Sequence, residues 1–140
     1  MAKFPTIDAY ALVNAVDLSD HLSEVNLGFD RDTPEGTSMG DVVHSFIAGG
    51  LEANTMSINF FADQASSNVN ATLYSIHSGN AAVTVVVGAA GSSASSTNPH
   101  YSGSWILQNY NPISGAVGGA AMITSNWVRG AGTALTQVTA

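Results

Sequence analysis

The chain contains no cysteine. That excludes disulfide scaffolds, thiolate metal sites and cysteine nucleophiles, and leaves packing and backbone hydrogen bonding to hold the fold. Basic residues are nearly as scarce. Lys3, Arg31 and Arg129 are the whole complement against ten acidic residues, for a net charge of −7. A protein that grips nucleic acid sets many Lys and Arg side chains on phosphates, so tight DNA or RNA binding is excluded, and an acidic surface repels a polyanion. Long hydrophobic runs are missing as well. The longest, Ala81 to Ala90, falls far short of the roughly 20 residues a membrane span requires. The opening MAKFPTIDAY carries a lysine, an early proline and an early acid, with no apolar stretch of signal-peptide length. A soluble, unsecreted protein with no membrane partner is expected.

Charge is also absent from most of the second half. All ten acids lie between Asp8 and Asp63, and from Gln64 onward Arg129 is the only Asp, Glu, Lys or Arg. A solitary domain normally intersperses charge over its surface, whereas interfaces are depleted in it. Burial of the second half against copies of the chain or against partners is therefore expected; a neutral Ser/Thr/Asn-rich surface is the competing reading. At 140 residues with 45% apolar content, the chain is the size of one domain and has material for a core.

What is present reads mainly as strands. Residues 10–18 form a candidate first strand, and Asp17 to Ser23 has the chemistry of a short helical turn. Val25, Leu27 and Phe29 alternate with Asn26, Gly28 and Asp30, and Met56, Ile58 and Phe60 alternate with Ser57, Asn59 and Phe61. This is the period-2 pattern of half-buried strands. Between them, TPEGTSMGD reads as an exposed extended loop. One helix is expected over residues 68–77. Val69, Leu73 and Ile76 share a face, the Asp63 to Asn68 stretch supplies capping residues, and Gly79 supplies a stop. Val83, Val85 and Val87 mark a further strand. SGSWILQNY and AAMITSNWV follow as partners across the glycine-rich NPISGAVGG, and the tail over about 130–140 reads as a short edge strand or arm. The predicted class is a mainly β antiparallel sandwich or partly open barrel with one flanking short α-helix.

No catalytic constellation emerges. His21, His44, His77 and His100 are never paired at i, i+3 or i, i+4, so each reads as a surface or loop histidine. Asp17, Asp20 and Glu24, and separately Asp30, Asp32 and Glu35, could offer oxygen ligands to a hard cation, but without an EF-hand pattern a solvated acidic face is the better reading. There is no G-x-S-x-G elbow, and SGAVGGA lacks the lysine of a phosphate loop. Trp105 and Trp127 on the late strands read as core or subunit-interface residues before ligand-stacking ones. An enzyme is not expected, nor any cofactor or metal.

The run Arg31 to Phe61, RDTPEGTSMGDVVHSFIAGGLEANTMSINFF, resembles the major tail tube proteins of long-tailed bacteriophages. The quoted landmarks are Thr37 to Asp41, Phe46 to Gly49 and Ile58 to Asp63. The order continues with the short helix, the valine-rich strand, Asn98 to Gly103 and Tyr110 to Gly119. The resemblance implies a sandwich or barrel of two antiparallel sheets with one helix, and a structural virion subunit that forms hexameric rings stacked into a hollow tube. DNA passes through such a tube without tight binding. A tape-measure protein fills it beforehand, and other tail proteins join its ends. The implied location is the virion tail, after assembly in the host cytoplasm. A long loop at about 33–50 would reach the neighbouring ring, with Thr33, Pro34, Glu35, Gly36, Thr37, Ser38, Met39, Gly40 and Asp41 as the contact loop. Small capsid decoration proteins look similar at this level, and a carbohydrate- or ion-binding β-module using the tryptophans or acidic trios is a further alternative.

Overall fold

A computed structural model describes residues 8–130 and 134–139. Its elements run β1 (Tyr10–Val13), β2 (Val16–Asp17), a 3-10 turn (Ser19–His21), β3 (Leu22–Gly28), β4 (Thr55–Phe61), α1 (Val69–Gly79), β5 (Val83–Gly88), β6 (His100–Ser114), β7 (Met122–Arg129) and β8 (Thr136–Val138). The strands form one continuous antiparallel sheet in the order β2-β1-β5-β6-β7-β4-β3, with β8 also on β6. The expectation of two separate sheets gives way to a single one because β6 is long enough to serve both halves. Its first part, His100 to Trp105, pairs with β5, and its remainder, from Trp105 to Ser114, pairs with β7. The register shifts twice along the β6–β7 ladder, at Leu107/Asn109 and at Asn111/Ser114. Such bulges bend and twist a strand. The sheet curls far enough that β3 and the β1–β5 edge line a common groove, through Val25 and Leu27 on one side and Ala9 and Val87 on the other. The result is a partly open barrel.

The alternating patterns of β4 and β5 land as expected, whereas β3 ends at Gly28 and leaves Phe29, read as its third inward position, exposed. β4 buries Met56, Ile58 and Phe60, and β7 buries Ile123, Ser125 and Trp127 on the same inner face. Val85 and Val87 of β5 join them. Trp105 and Trp127 are 1% and 2% exposed, so they are core residues and unavailable for stacking a ligand. Trp127 Nε1 donates to Ser125 Oγ at 3.0 Å, and that hydroxyl donates to the Ile58 carbonyl at 2.8 Å. The Trp127 indole and the Ser125 hydroxyl thereby satisfy each other and the backbone, as a buried N–H requires.

The helix α1 buries Val69, Leu73 and Ile76, each contributing about 1.5–3 kcal/mol by removal from water. It starts at Asn68, whose side chain makes no cap bond to the helix and instead donates to Asp63 Oδ2 at 2.9 Å. Gly79 is the last helical residue. The left-handed cap is Asn80, at φ 49°, a conformation that Asn reaches at modest cost.

The first strand is interrupted. Asn14 and Ala15 both take positive φ, 48° and 66°, which turns residues 10–17 into a two-residue hairpin of the primed type. Tyr10 to Val13 continue onward against β5. Near the C-terminus, β8 pairs with the start of β6, His100 opposite Val138. Part of the expected arm at 130–140 lies outside the described residues.

The strand order also accounts for much of the charge distribution. β5, β6 and β7 are central in the sheet and all come from the second half, where Arg129 at the end of β7 is the only Asp, Glu, Lys or Arg. Asp17, Asp20 and Glu24 sit on the peripheral run from β2 through the 3-10 turn to β3, Asp30, Asp32, Glu35, Asp41 and Glu52 on the long connection between β3 and β4, Asp8 before β1 and Asp63 between β4 and α1.

Candidate assembly interface

Residues 29–54 connect β3 to β4 as a two-legged arm. The legs are tied by backbone hydrogen bonds: Ala53 N to Asp30 O, Asp32 N to Leu51 O, Ile47 N to Pro34 O and Gly36 N to Ser45 O, all between 2.7 and 2.8 Å. Between these rungs the second leg advances four residues, Leu51 to Ile47, while the first advances two, Asp32 to Pro34, so the stretch Ala48, Gly49 and Gly50 holds two extra residues as a kink. Gly49 holds φ at +91°, and a Cβ on Gly50 would sit 1.8 Å from the Asp32 carbonyl oxygen. Both positions therefore demand glycine. At the tip, Asp41 N donates to Ser38 O, and Ser38 N donates back to Asp41 Oδ2 at 2.7 Å. Side chains bind the legs further. His44 bonds to Glu35, and Thr37 Oγ1 donates to Glu35 at 2.8 Å. The hydrogen bond from His44, then that from Thr37, holds the Glu35 carboxyl below its ordinary range. Arg31 reaches Gly50 O at 3.0 Å and lies 3.7 Å from Glu52. The nine residues Thr33 to Asp41 all lie in this arm and are exposed.

The nine named contact residues end at Asp41 within a loop expected over about 33–50, and most of the exposed apolar surface, which the sequence reading does not single out, lies in the second leg. Met39 is 104% exposed, and Val42, Val43, Phe46, Ile47 and Leu51 are also open to solvent. An arm this thin has no interior in which to bury them. Its backbone is nonetheless held by ladder bonds and side-chain clasps, and contiguous exposed apolar surface on a defined element marks an interaction site. The available signal was the run VVHSFIAGGL, apolar but without the period of a strand or a helix.

A second apolar protrusion was also missed. The β6–β7 hairpin closes through residues 115–121; Ile113 at the end of β6 and Val117 in the loop are 92% and 108% exposed. Gly115 and Gly118 take φ of +128° and +90° there. The expected hairpin connection is thus confirmed, and its apolar residues point outward.

The sites weighed for chemistry disperse. Asp17, Asp20 and Glu24, with Asp8, line the open seam between the barrel edges. Asp17 is occupied by Ser19 N and Oγ, at 3.0 and 2.6 Å, and Glu24 by Asn26 at 2.7 Å. Asp30, Asp32 and Glu35 are strung along one leg of the arm. No three His, Asp or Glu among the described residues are grouped to hold a metal. Like charges along a seam do discourage edge-to-edge pairing.

His100 corrects the surface reading. It is 3% exposed, lies stacked on Tyr10 at 5.0 Å, and has its Nε2 3.0 Å from the Gly91 carbonyl. The absence of Cβ at Gly88 is what makes room for the ring. His77 packs on Tyr110 at 5.6 Å. His21 Nε2 lies 2.8 Å from Asp63 Oδ2. Asp63 accepts first from Ala65 N and also from His21 and Asn68, which lowers its pKa and ties the 3-10 turn to the start of the helix.

No protein-family model matches this chain, and no curated protein matches it in sequence. Solved structures match its shape. A chain from the virion of a native gene transfer agent particle superposes with a TM-score of 0.75 at 12% identity, over 98% of this chain and 100% of that one. A chain from the tail of an empty gene transfer agent particle of C6 symmetry gives 0.69 at 14% identity, over 85% and 83%. The SPP1 tail tube gives 0.71 at 9% identity, over 95% and 77%. The chain therefore has the tail-tube fold, in which a mainly antiparallel sheet is flanked by one short helix.

Proposed function

We propose that this chain is the repeating structural subunit of a phage-type tail tube. Copies form hexameric rings, rings stack head to tail, and DNA traverses the bore without being gripped. The observation that carries the reading is the arm: on a chain with the tail-tube fold, a hydrogen-bonded protrusion presents six large apolar side chains to solvent, from Met39 to Leu51. A free monomer gains nothing from that exposure. A subunit whose arm lies on the next ring buries it. The inter-ring contact then spans Thr33 to Asp41 and the apolar second leg as well.

The charge supports the same role. A net charge of −7 per copy multiplies around a ring, and an acidic assembly repels phosphates at short range, so DNA slides instead of sticking. The reading is structural and involves no catalysis. It gives a tape-measure protein as the occupant of the bore before DNA, other tail proteins at the tube ends, the virion tail as the location and the host cytoplasm as the place of assembly. Mass measurement in solution over a concentration series tests it. Species at six times 14.3 kDa and at multiples of that mass are expected; a stable trimer of fixed mass would point to a capsid decoration protein instead.

A further inference from the structure

The arm needs a receiving surface, and the register of the sheet places one at the other end of the molecule. Gly28 pairs with Thr55, and Thr55 pairs with Val128; the arm leaves the barrel at this end. Phe61 pairs with Met122, and Met122 pairs with Ser114; the β6–β7 hairpin leaves at the opposite end. Among the described residues, each end thus carries an apolar protrusion. A protrusion at one end and a complementary patch elsewhere on the same surface make a heterologous, head-to-tail contact, which propagates from copy to copy.

We infer that the tip of the β6–β7 hairpin, through Ile113 and Val117, is the seat on which the arm of a copy in the adjacent ring docks. Three observations favour this occupant. Ile113 and Val117 are almost wholly exposed on a hairpin whose backbone is fixed by the β6–β7 ladder and by a Gly119 N to Ala116 O bond of 2.9 Å. The stretch from Tyr110 to Ala121 contains no charged residue, while the arm carries Asp30, Asp32, Glu35, Asp41 and Glu52 against Arg31 alone. Arm against arm would set like charges together, which disfavours an interface; arm against an uncharged hairpin does not. Finally, an extended leg advances about 3.3 Å per residue, so the arm reaches roughly 30 Å, enough to pass a ring boundary.

This inference rests on the tail-tube reading, and its test separates the two. The chain has no cysteine, so Val43→Cys and Val117→Cys variants each carry a single thiol. Mixed, polymerised and treated with a short bismaleimide, they are expected to give a covalent arm-to-hairpin dimer in tubes and none in isolated rings. In parallel, Val117→Asp is expected to leave the thermal midpoint and ring formation unchanged while abolishing stacking. The side chain touches nothing in the monomer, so misfolding does not confound the result. Tubes that form normally with Val117→Asp, or tubes in which Val43→Cys and Val117→Cys never cross-link, would overturn the docking seat and leave the tube reading standing. Wild-type protein that forms neither rings nor tubes would overturn both.

Discussion

Ala15 sits at φ 66° in a two-residue hairpin, where an L side chain with a Cβ is strained and glycine is not. Ala15→Gly is expected to stabilise the monomer by about 0.5–1 kcal/mol, read as a higher urea midpoint with an unchanged slope. Ser125 is wholly buried and links Trp127 Nε1 to the Ile58 carbonyl. Ser125→Ala leaves the indole N–H without a partner and is expected to cost about 1–3 kcal/mol in the same assay. Asp63 makes stability depend on pH in the acid range. Its folded pKa lies below the ordinary aspartate value because Ala65 N, His21 and Asn68 donate to the ionised form. The stabilisation is fully present above that ordinary value and is lost as pH falls through the folded pKa. Asp63→Asn is therefore expected to be less stable than the wild type at neutral pH. The gap should narrow below about pH 4; a gap independent of pH would contradict the assignment.

At the scale of elements, the arm is the part that folding does not need. The core cluster contains none of its residues, and its backbone bonds run between its own two legs. Deleting residues 36–41 is expected to leave the unfolding midpoint within error while preventing tube growth, as sedimentation would show. Continued tube growth by the deletion variant would mean that the arm tip is not an inter-ring contact. This division also explains which elements could be seen in the sequence. β4, β5, β7 and α1 bury one face, so Met56, Ile58 and Phe60, or Val69, Leu73 and Ile76, carry their period openly. The β1–β2 hairpin was hidden because its turn uses Asn-Ala in place of the Asn-Gly that usually announces one. β6 runs longer than the sequence suggests because Pro112, which ordinarily ends a strand, is accommodated within the second register shift, between Asn111 and Ser114 near the hairpin tip. The candidate site was legible only in part. Thr33 to Asp41 stand out through Pro, Gly and polar residues, whereas Val42 to Leu51 carry no periodic pattern and Ile113 and Val117 sit in a glycine-rich connection, so their apolar side chains are not marked as contacts. Nothing local in a sequence distinguishes an apolar residue bound for a core from one bound for a neighbouring copy.

For the whole molecule, the charge-poor second half has two explanations that operate together. Much of it is mid-sheet, in β5, β6 and β7, and its most exposed portion is the hairpin tip that stacking would cover. The acids remain on the periphery and the arm, where they keep free copies apart until apolar contact outweighs repulsion. Salt should therefore promote assembly, because screening weakens exposed like-charge repulsion within about 8–10 Å while apolar burial persists. A fall in the critical concentration between low and physiological ionic strength is expected in light scattering. The central claim, that a chain with this fold and this arm polymerises into a tube, is tested most directly by electron cryomicroscopy of the purified protein at high concentration with tail-initiation proteins present. Hollow tubes of stacked six-fold rings, with the arm crossing each ring boundary, are the expected image. Dispersed monomers, or closed particles that never stack, would contradict it.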